Sequence, residues 1–248
     1  MKTPTQELDT GLVQEYDKYT QEDQTVWTTL FTRQIVSLPD TATSEYLAGI
    51  ERINFTANSI PNFEATNEKL KEITGWELVA VPGIVDDELF FNLLVNKKFP
   101  ATTWLRKMSE IDYLEEPDMF HDVFGHVPIL TNHSFSDFLV ELGKVGLEYI
   151  GNDQAIHLLS RIYWFTVEFG LIKEKDELKI YGAGILSSAG ETKYSLSSRP
   201  EHFDYNVEDI LDSTYRKDAF QTKYFIIHSY KELYDSINDI KEGIKKRI

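Results

Sequence analysis

The 248-residue sequence predicts a mainly α-helical single domain with a few short β-strands. Three observations lead there: long segments with apolar residues at three- and four-residue intervals, proline and glycine punctuation between them, and few runs with strand character. A chain with 42% apolar and 13% aromatic residues buries a large core, and its length suits one domain over residues 1–248.

In order along the chain, helices are expected at residues 21–38 before Pro39, at 41–54, and at 62–74 before Gly75-Trp76. In the first, Val26, Leu30, Arg33 and Val36 keep roughly helical spacing while Trp27, Phe31 and Ile35 widen the apolar face. Residues 76–83 alternate apolar and polar and stop at Pro82-Gly83, which predicts a short strand entering a loop able to line a pocket. Phe135, Phe138, Leu139, Leu142, Val145 and Tyr149 predict an amphipathic helix over 134–149, with Ser134 as N-cap and Gly151 past its end. Residues 156–171 are apolar on almost every face and predict a central buried helix that contains Glu168. A strand at 178–181, a turn at Gly182 and Gly184, an apolar run at 224–227 and a solvated helix end at 241–247 complete the chain. No internal repeat, low-complexity segment or composition break marks a linker.

Charge and composition exclude several classes of function. Lys and Arg total 25 against 41 Asp and Glu, and the resulting charge of −16 repels phosphate backbones and anionic lipid. Neither nucleic acid nor a membrane is an expected partner. Without cysteine there are no disulfides, thiolate nucleophiles or sulfur-ligated metals, so any metal must use nitrogen and oxygen. The polar start and the lack of an apolar run near the ~18 residues of a spanning helix predict a soluble, cytoplasmic protein.

The stretch from Glu115 to Pro128 carries the most chemical information. It places His121 and His126 five residues apart, with Asp118 and Asp122 close by. Five residues of a regular α-helix turn the chain by about 500°, leaving the side chains roughly 140° apart. That differs from the same-face pair of zinc proteases, four residues apart. Gly125 and Pro128 permit a turn or helix end that re-aims one ring. Within a helix, Glu168 would have Trp164, Phe165, Leu171 and Ile172 as neighbours and no local lysine or arginine. A carboxylate buried that way takes up a proton or finds a cation. The plainer alternatives are a distant arginine partner for Glu168 and hydrogen-bonded core histidines.

Two imidazoles and a carboxylate with positions left open suit ferrous iron, or zinc with an activated water, and the ligand set alone leaves both standing. Zinc hydrolysis would need a base, for which Asp122 is the nearby candidate. Aromatic residues crowd these segments, among them Phe90, Phe99, Trp104, Tyr113, Tyr163 and Trp164, and fit a flat aromatic ligand, although most such rings are core. Arg106 can clamp a small carboxylate in two-pronged fashion or serve a structural ion pair. The segment 182–191 lacks the lysine and hydroxyl of a phosphate loop, so its glycines fit close backbone packing beside a ligand better. His133, His157, His202 and His228 have no metal-like spacing and are expected to be structural or surface residues.

Residues 112–128, 163–171 and 181–188 closely resemble the pterin-dependent aromatic amino acid hydroxylases, in particular their short bacterial phenylalanine 4-hydroxylase branch. Weaker similarity runs from about Tyr19 to Tyr234. The resemblance implies that family's catalytic fold and a non-haem Fe(II) held by His121, His126 and Glu168. It implies that Arg106, buttressed by Asp118, binds the substrate carboxylate, and that Tyr113, Trp164, Phe169, Gly184 and Ser187 shape the amino-acid pocket. Ser187 would also fix the ring of His121 from behind. Phe90 would stack on tetrahydrobiopterin or a related tetrahydropterin, the backbone of Gly83, Ile84 and Val85 would bond its edge, and Asp122 would approach it through water. Glu191 matches an acid near the substrate pocket.

The implied activity is phenylalanine 4-monooxygenase, converting L-phenylalanine to L-tyrosine with O2 and the reduced pterin through a ferryl oxidant. Tryptophan or tyrosine hydroxylation is the nearest rival. A zinc hydrolase and a non-enzymatic metal clip lie further away. An N-terminal regulatory domain and a long heptad tetramerisation helix of the animal kind have no counterpart in the sequence, so a monomer is expected. Leu114 and Glu115 depart from the animal pattern beside the pocket tyrosine.

Overall fold

A computed structural model of the chain describes residues 10–112 and 116–248. The first helix, α1 (Gln21–Ile35), starts at a capping box in which Thr20 accepts from the Asp23 N–H and Asp23 accepts from the Thr20 N–H. It ends before Val36, which is 77% exposed, so the buried stripe is Val26, Trp27, Leu30, Phe31 and Gln34. Pro39 opens a second short helix, α2 (Leu38–Thr41), because proline is tolerated in a first turn. α3 (Ser44–Ile53) stops at Asn54, a residue type that adopts its left-handed φ of 62° at little cost. α4 (Phe63–Ile73) is capped by the Asn62 side chain.

Next comes a parallel strand–helix–strand unit, β1 (Glu77–Val81), α5 (Asp87–Val95) and β2 (Lys98–Thr102), with Val81 paired to Thr102 at its end. β2 has Pro100 at its centre and no strand signature. A two-stranded sheet leaves one side of each strand without a ladder partner, where proline is accommodated. α6 (His133–Glu148) starts one residue earlier than its periodicity implies, and Asn132, not Ser134, caps it by accepting from the Phe135 N–H.

The long helix expected over 156–171 is two elements. α7 (Asp153–Tyr163) gives way to a π-helical turn at Trp164–Glu168, and the chain then enters β3 (Leu171–Glu174). Helix end and strand are both buried, so their apolar residues run together in the sequence. Gly170 makes the break possible, since a Cβ there would lie 2.1 Å from the Tyr181 ring and 2.3 Å from the Thr166 carbonyl oxygen.

β3 turns back into β4 (Glu177–Ile180) through Lys175 and Asp176, both at positive φ as a tight hairpin requires. Then follow α8 (Ala183–Leu186), α9 (Ala189–Ser195), β5 (Glu201–Asp204), α10 (Val207–Leu211), β6 (Lys223–Ile227), α11 (Tyr230–Asp235) and α12 (Ile237–Lys245). The second sheet has the order β4-β3-β6-β5, with β6 parallel to both neighbours. The tail is only partly solvated: Ile240 and Ile244 are buried, and Arg247 pairs with Glu208 and Asp212.

An aromatic cluster joins α1 to the histidine-bearing segment. Trp27 meets Phe120 edge-on at 5.5 Å, Phe120 stacks on Phe124 at 4.6 Å, and Phe31 closes on Phe124 at 5.3 Å. Each such pair adds about 0.5–1.5 kcal/mol beyond simple burial. The Tyr46 hydroxyl donates to the Phe124 carbonyl at 2.5 Å, so the turn that carries the histidines is held both by rings and by its own backbone.

Candidate metal centre

Two π-helical turns build the site. The first, Phe120–Gly125, is followed directly by His126, and its i→i+5 hydrogen bonding makes it wider than an α-turn. On such a turn the fifth residue returns to about the face of the first, which resolves the misfit of His121 and His126 on a regular helix. Their Nε2 atoms lie 3.4 Å apart, with the rings edge to face. Glu168 ends the second π turn. Its Oε1 is 3.2 Å from His126 Nε2 and its Oε2 is 3.5 Å from His121 Nε2. Among the described residues these three form the one group of His, Asp or Glu whose ligand atoms converge, all within 4.8 Å of one another.

Each candidate ligand is packed or hydrogen-bonded by a neighbour. The Ser187 hydroxyl donates to the Ala183 carbonyl at 2.8 Å, so its oxygen is left to accept from His121 Nδ1–H at 2.9 Å. That fixes the tautomer and frees the Nε2 lone pair for a metal. His126 is buried against the Phe99 ring at 4.8 Å. Burial pushes the Glu168 carboxyl up, but without a metal the two imidazoles, in their protonated form, and the Gly184 N–H outweigh it and hold the group below its ordinary value. Two neutral nitrogens and one carboxylate, in a chain without sulfur ligands, fit a divalent cation of the ferrous type.

The glycines after β4 have a steric role here. A Cβ on Gly182 would come within 2.4 Å of the Glu168 carbonyl oxygen and 2.5 Å of the Gly170 nitrogen. Gly182→Ala is therefore expected to displace the Glu168 turn at a cost of about 1–3 kcal/mol. Calorimetric melting and bound-iron stoichiometry check it, and a variant with normal values of both would show that the turn yields freely.

Around the triad, Arg106 and Asp118 form a two-pronged pair, with Nε and Nη2 each 2.9 Å from a carboxylate oxygen. Asp118 is fully buried and also accepts the Arg106 and His121 backbone N–H groups. Burial raises its carboxyl, but Arg106 prevails and keeps it below the usual range. One carboxylate thus ties the candidate clamp to the candidate metal ligand. Asp122 accepts from the Thr102 N–H and hydroxyl, both at 2.8 Å, through a single oxygen. Burial pushes it upward, with His121 and Thr102 opposing. Because Thr102 pairs with Val81, Asp122 and the loop Gly83-Ile84-Val85 share one end of the β1–β2 pair. That loop is open: Ile84 is 82% exposed and no atom lies within 4 Å of a Cβ on Gly83. Phe90 meets Tyr163 edge-on at 5.4 Å, and the Tyr163 phenol is pushed up by burial and by the charges of Glu168 and Asp122.

On the other side Trp164 contacts Phe169 at 4.7 Å, and a Cβ on Gly184 would lie 2.8 Å from the Phe169 ring. Tyr113, Leu114 and Glu115 lie outside the described residues. Glu191 is buried on α9, where it accepts from the Tyr224 hydroxyl at 2.6 Å and the Gln221 N–H at 3.2 Å. These two bonds link α9 to β6 and to the connection that precedes it. Burial pushes the Glu191 carboxyl above its ordinary 4.5, against both hydrogen bonds. The folded chain therefore holds this proton more tightly than the unfolded chain. The resulting stability is complete below pH 4.5 and is lost as pH rises through the folded value. Relative to Glu191→Gln, the wild type should lose stability as pH climbs from there toward neutrality. Urea midpoints over a pH series test this, and parallel curves would refute it.

Sequence reasoning missed Thr102, Tyr163 as a neighbour of the acids, and Tyr215, whose ring lies 4.4 Å from that of Trp164. None has a local spacing that announces it. Only the strand pairing of β2 could have singled out Thr102.

The family model for biopterin-dependent aromatic amino acid hydroxylases matches residues 11–248. Phenylalanine-4-hydroxylase of Chromobacterium violaceum is 46% identical over 229 residues, covering 92% of this chain and 77% of that protein. The Ralstonia nicotianae phenylalanine-4-hydroxylase is 44% identical over 229 residues, covering 92% and 73%. The C. violaceum enzyme with bound oxidised Fe(III) superposes with a TM-score of 0.91 at 45% identity, over 95% of this chain and 86% of that one. Its structure with iron(III) and oxidised 7,8-dihydrobiopterin gives 0.90 at 45% identity, with the same coverage. From its fold, from the converging histidines and glutamate and from these likenesses, the chain belongs to the biopterin-dependent aromatic amino acid hydroxylase family.

Proposed function

We propose that the chain is a phenylalanine 4-monooxygenase, forming L-tyrosine from L-phenylalanine and O2 with ferrous iron held by His121, His126 and Glu168 and with tetrahydrobiopterin as electron donor. The observation that carries the reading is the convergence of those three ligand atoms from two π turns, with Ser187 setting the His121 tautomer. The high identity to bacterial phenylalanine-4-hydroxylases supports phenylalanine over the other aromatic amino acids. Held there, iron and a reduced pterin would supply the activation of O2 and the two electrons that hydroxylation of an aromatic ring requires.

The chain's own residues supply position and dryness. Asp118 occupies Nε and Nη2 of Arg106, which aims the rest of the guanidinium at the substrate carboxylate. Because the same Asp118 holds the His121 backbone, the distance from carboxylate clamp to metal is set by one buried group. Trp164 and Phe169 wall the ring of the substrate and exclude water. Across the site Phe90 offers a face to the pterin, and the open backbone of Gly83-Ile84-Val85 offers hydrogen bonds to its edge. Asp122 reaches the pterin with its second oxygen, through water. The zinc-hydrolase alternative loses support, because the relatives that match this chain over most of its length are phenylalanine-4-hydroxylases.

The reading carries with it a single catalytic domain acting as a cytoplasmic monomer. Among the described residues no helix is long and apolar enough to cross a membrane. Light scattering on the purified chain tests the monomer. The function is tested by loading the protein with ferrous iron and measuring tetrahydropterin-dependent O2 uptake and product formation with phenylalanine, tyrosine and tryptophan in turn. Tyrosine formation from phenylalanine is expected, and its absence would overturn the proposal.

A further inference from the structure

We infer that Tyr215, in the connection between α10 and β6, is a positioning residue for the amino-acid pocket. Its ring buttresses Trp164, and so sets how tightly L-phenylalanine is held and how firmly a larger indole substrate is refused. The inference deepens the proposed hydroxylase reading and rests on it.

The Tyr215 and Trp164 rings stack at 4.4 Å with 18° between their planes, and Tyr215 also meets Phe165 edge-on at 6.3 Å. Trp164 is the first residue of the π turn that ends in Glu168. Its indole contacts Phe169, which packs over Gly184, whose N–H in turn reaches the Glu168 carboxylate. Any swing of the indole therefore acts at the edge of the metal centre. Trp164 Nε1 is buried and has no hydrogen-bond partner among the described residues, so no polar contact of the indole fixes its orientation. Ring packing is what remains, and Tyr215 supplies the most nearly parallel part of it.

Tyr215 is itself held at both ends. The Ser160 hydroxyl gives its proton to the His157 carbonyl at 2.8 Å, so at 3.2 Å the Tyr215 hydroxyl donates to Ser160, one turn before Trp164. Further along the connection, the Gln221 side chain donates to the Arg216 and Ala219 carbonyls, and the Gln221 N–H donates to buried Glu191. The segment 215–221 is thus a strap, tied to α7 at one end and to α9 at the other, that presses one ring against the pocket wall.

The test uses the full iron-loaded chain with Tyr215→Ala and Tyr215→Phe. Three quantities are measured: KM and kcat for L-phenylalanine, the ratio of kcat/KM for L-tryptophan to that for L-phenylalanine, and the L-phenylalanine Kd by calorimetry without pterin. Loss of one aromatic stack predicts a rise of about five- to tenfold in KM and Kd for Tyr215→Ala, with kcat within about twofold. It also predicts a shift of similar size toward tryptophan. Tyr215→Phe keeps the ring, gives up only the Ser160 hydrogen bond, and is expected to restore the larger part of all three. Unchanged KM, Kd and selectivity in Tyr215→Ala would overturn the inference even if the variant melts earlier, since a purely structural tyrosine gives that pattern. Failure of Tyr215→Phe to restore the larger part of them would overturn it as well. If the wild type fails to hydroxylate phenylalanine, the function proposal falls separately, and the calorimetric Kd still decides for or against Tyr215.

Discussion

Glu168→Ala is expected to abolish iron-dependent stabilisation and to lower turnover by well over 100-fold while leaving the apo-protein folded. Partners one step behind a metal ligand cost about 10–100-fold when removed, and Glu168 is a ligand candidate itself. The stability effect can be sized independently. Iron at about 100 times its Kd stabilises the folded state by about 2.7 kcal/mol. For a domain of this length that moves Tm by roughly 5–11 °C. In wild type, ferrous iron should raise Tm by that amount, and in Glu168→Ala the shift should vanish. The apo-variant keeps a cooperative transition, because the lost carboxylate was itself costly to bury and was offset by the His121 and His126 rings. Scanning calorimetry with and without iron reads the effect. An undiminished iron shift in the variant would remove Glu168 from the ligand set.

Asp118→Asn should be the most destabilising single change around the site. The carboxylate accepts four hydrogen bonds: Arg106 N, Nε and Nη2, and His121 N. An asparagine has one acceptor oxygen and would turn an NH2 group toward the guanidinium. Removing one partner of a buried ion pair costs about 3–5 kcal/mol, because the other charge stays behind uncompensated. At this chain length the drop in Tm is roughly 6–20 °C. The acid limb should change as well. The Asp118 carboxyl lies below its ordinary 3.8 when folded, so its contribution is present above that pH and is lost as pH falls through the folded value. The wild-type advantage over Asp118→Asn should therefore shrink below pH 3.8. KM for phenylalanine is expected to rise with the loss of Arg106 alignment. A variant with wild-type melting and wild-type KM would show that Arg106 is held by something else.

The helices were legible wherever one face was apolar and the ends were punctuated. The stripe Val26, Leu30 and Phe31 and the series from Phe135 to Val145 led directly to α1 and α6. Strands that follow no alternation were not legible: β2 carries Pro100, and β5 is an exposed edge whose pairing with β6 depends on residues some twenty positions away. The segment 156–171 misled because a buried helix end and a buried strand share one composition. At the site, the ligand residue types and their lack of cationic neighbours were readable, and the resemblance to a known family named their roles. The geometry that joins them was not, because an i→i+5 turn leaves no periodic trace in six residues. Tyr215 and Glu191 show the same limit. Their partners, Trp164 and Tyr224, are reached only through tertiary packing.

The two π turns also bear on how this centre could be moved or redesigned. Each holds one more residue per turn than the regular helix it interrupts. Copying His121, His126 and Glu168 onto straight helical scaffolds at the same sequence intervals would point the imidazoles apart. A faithful transplant would have to carry both widened turns, the glycines that make room for them at 170 and 182, and the aromatic backing of Phe120 and Phe124. The smallest portable unit of the centre is therefore a pair of backbone irregularities with their packing, and three side chains alone would not reproduce it.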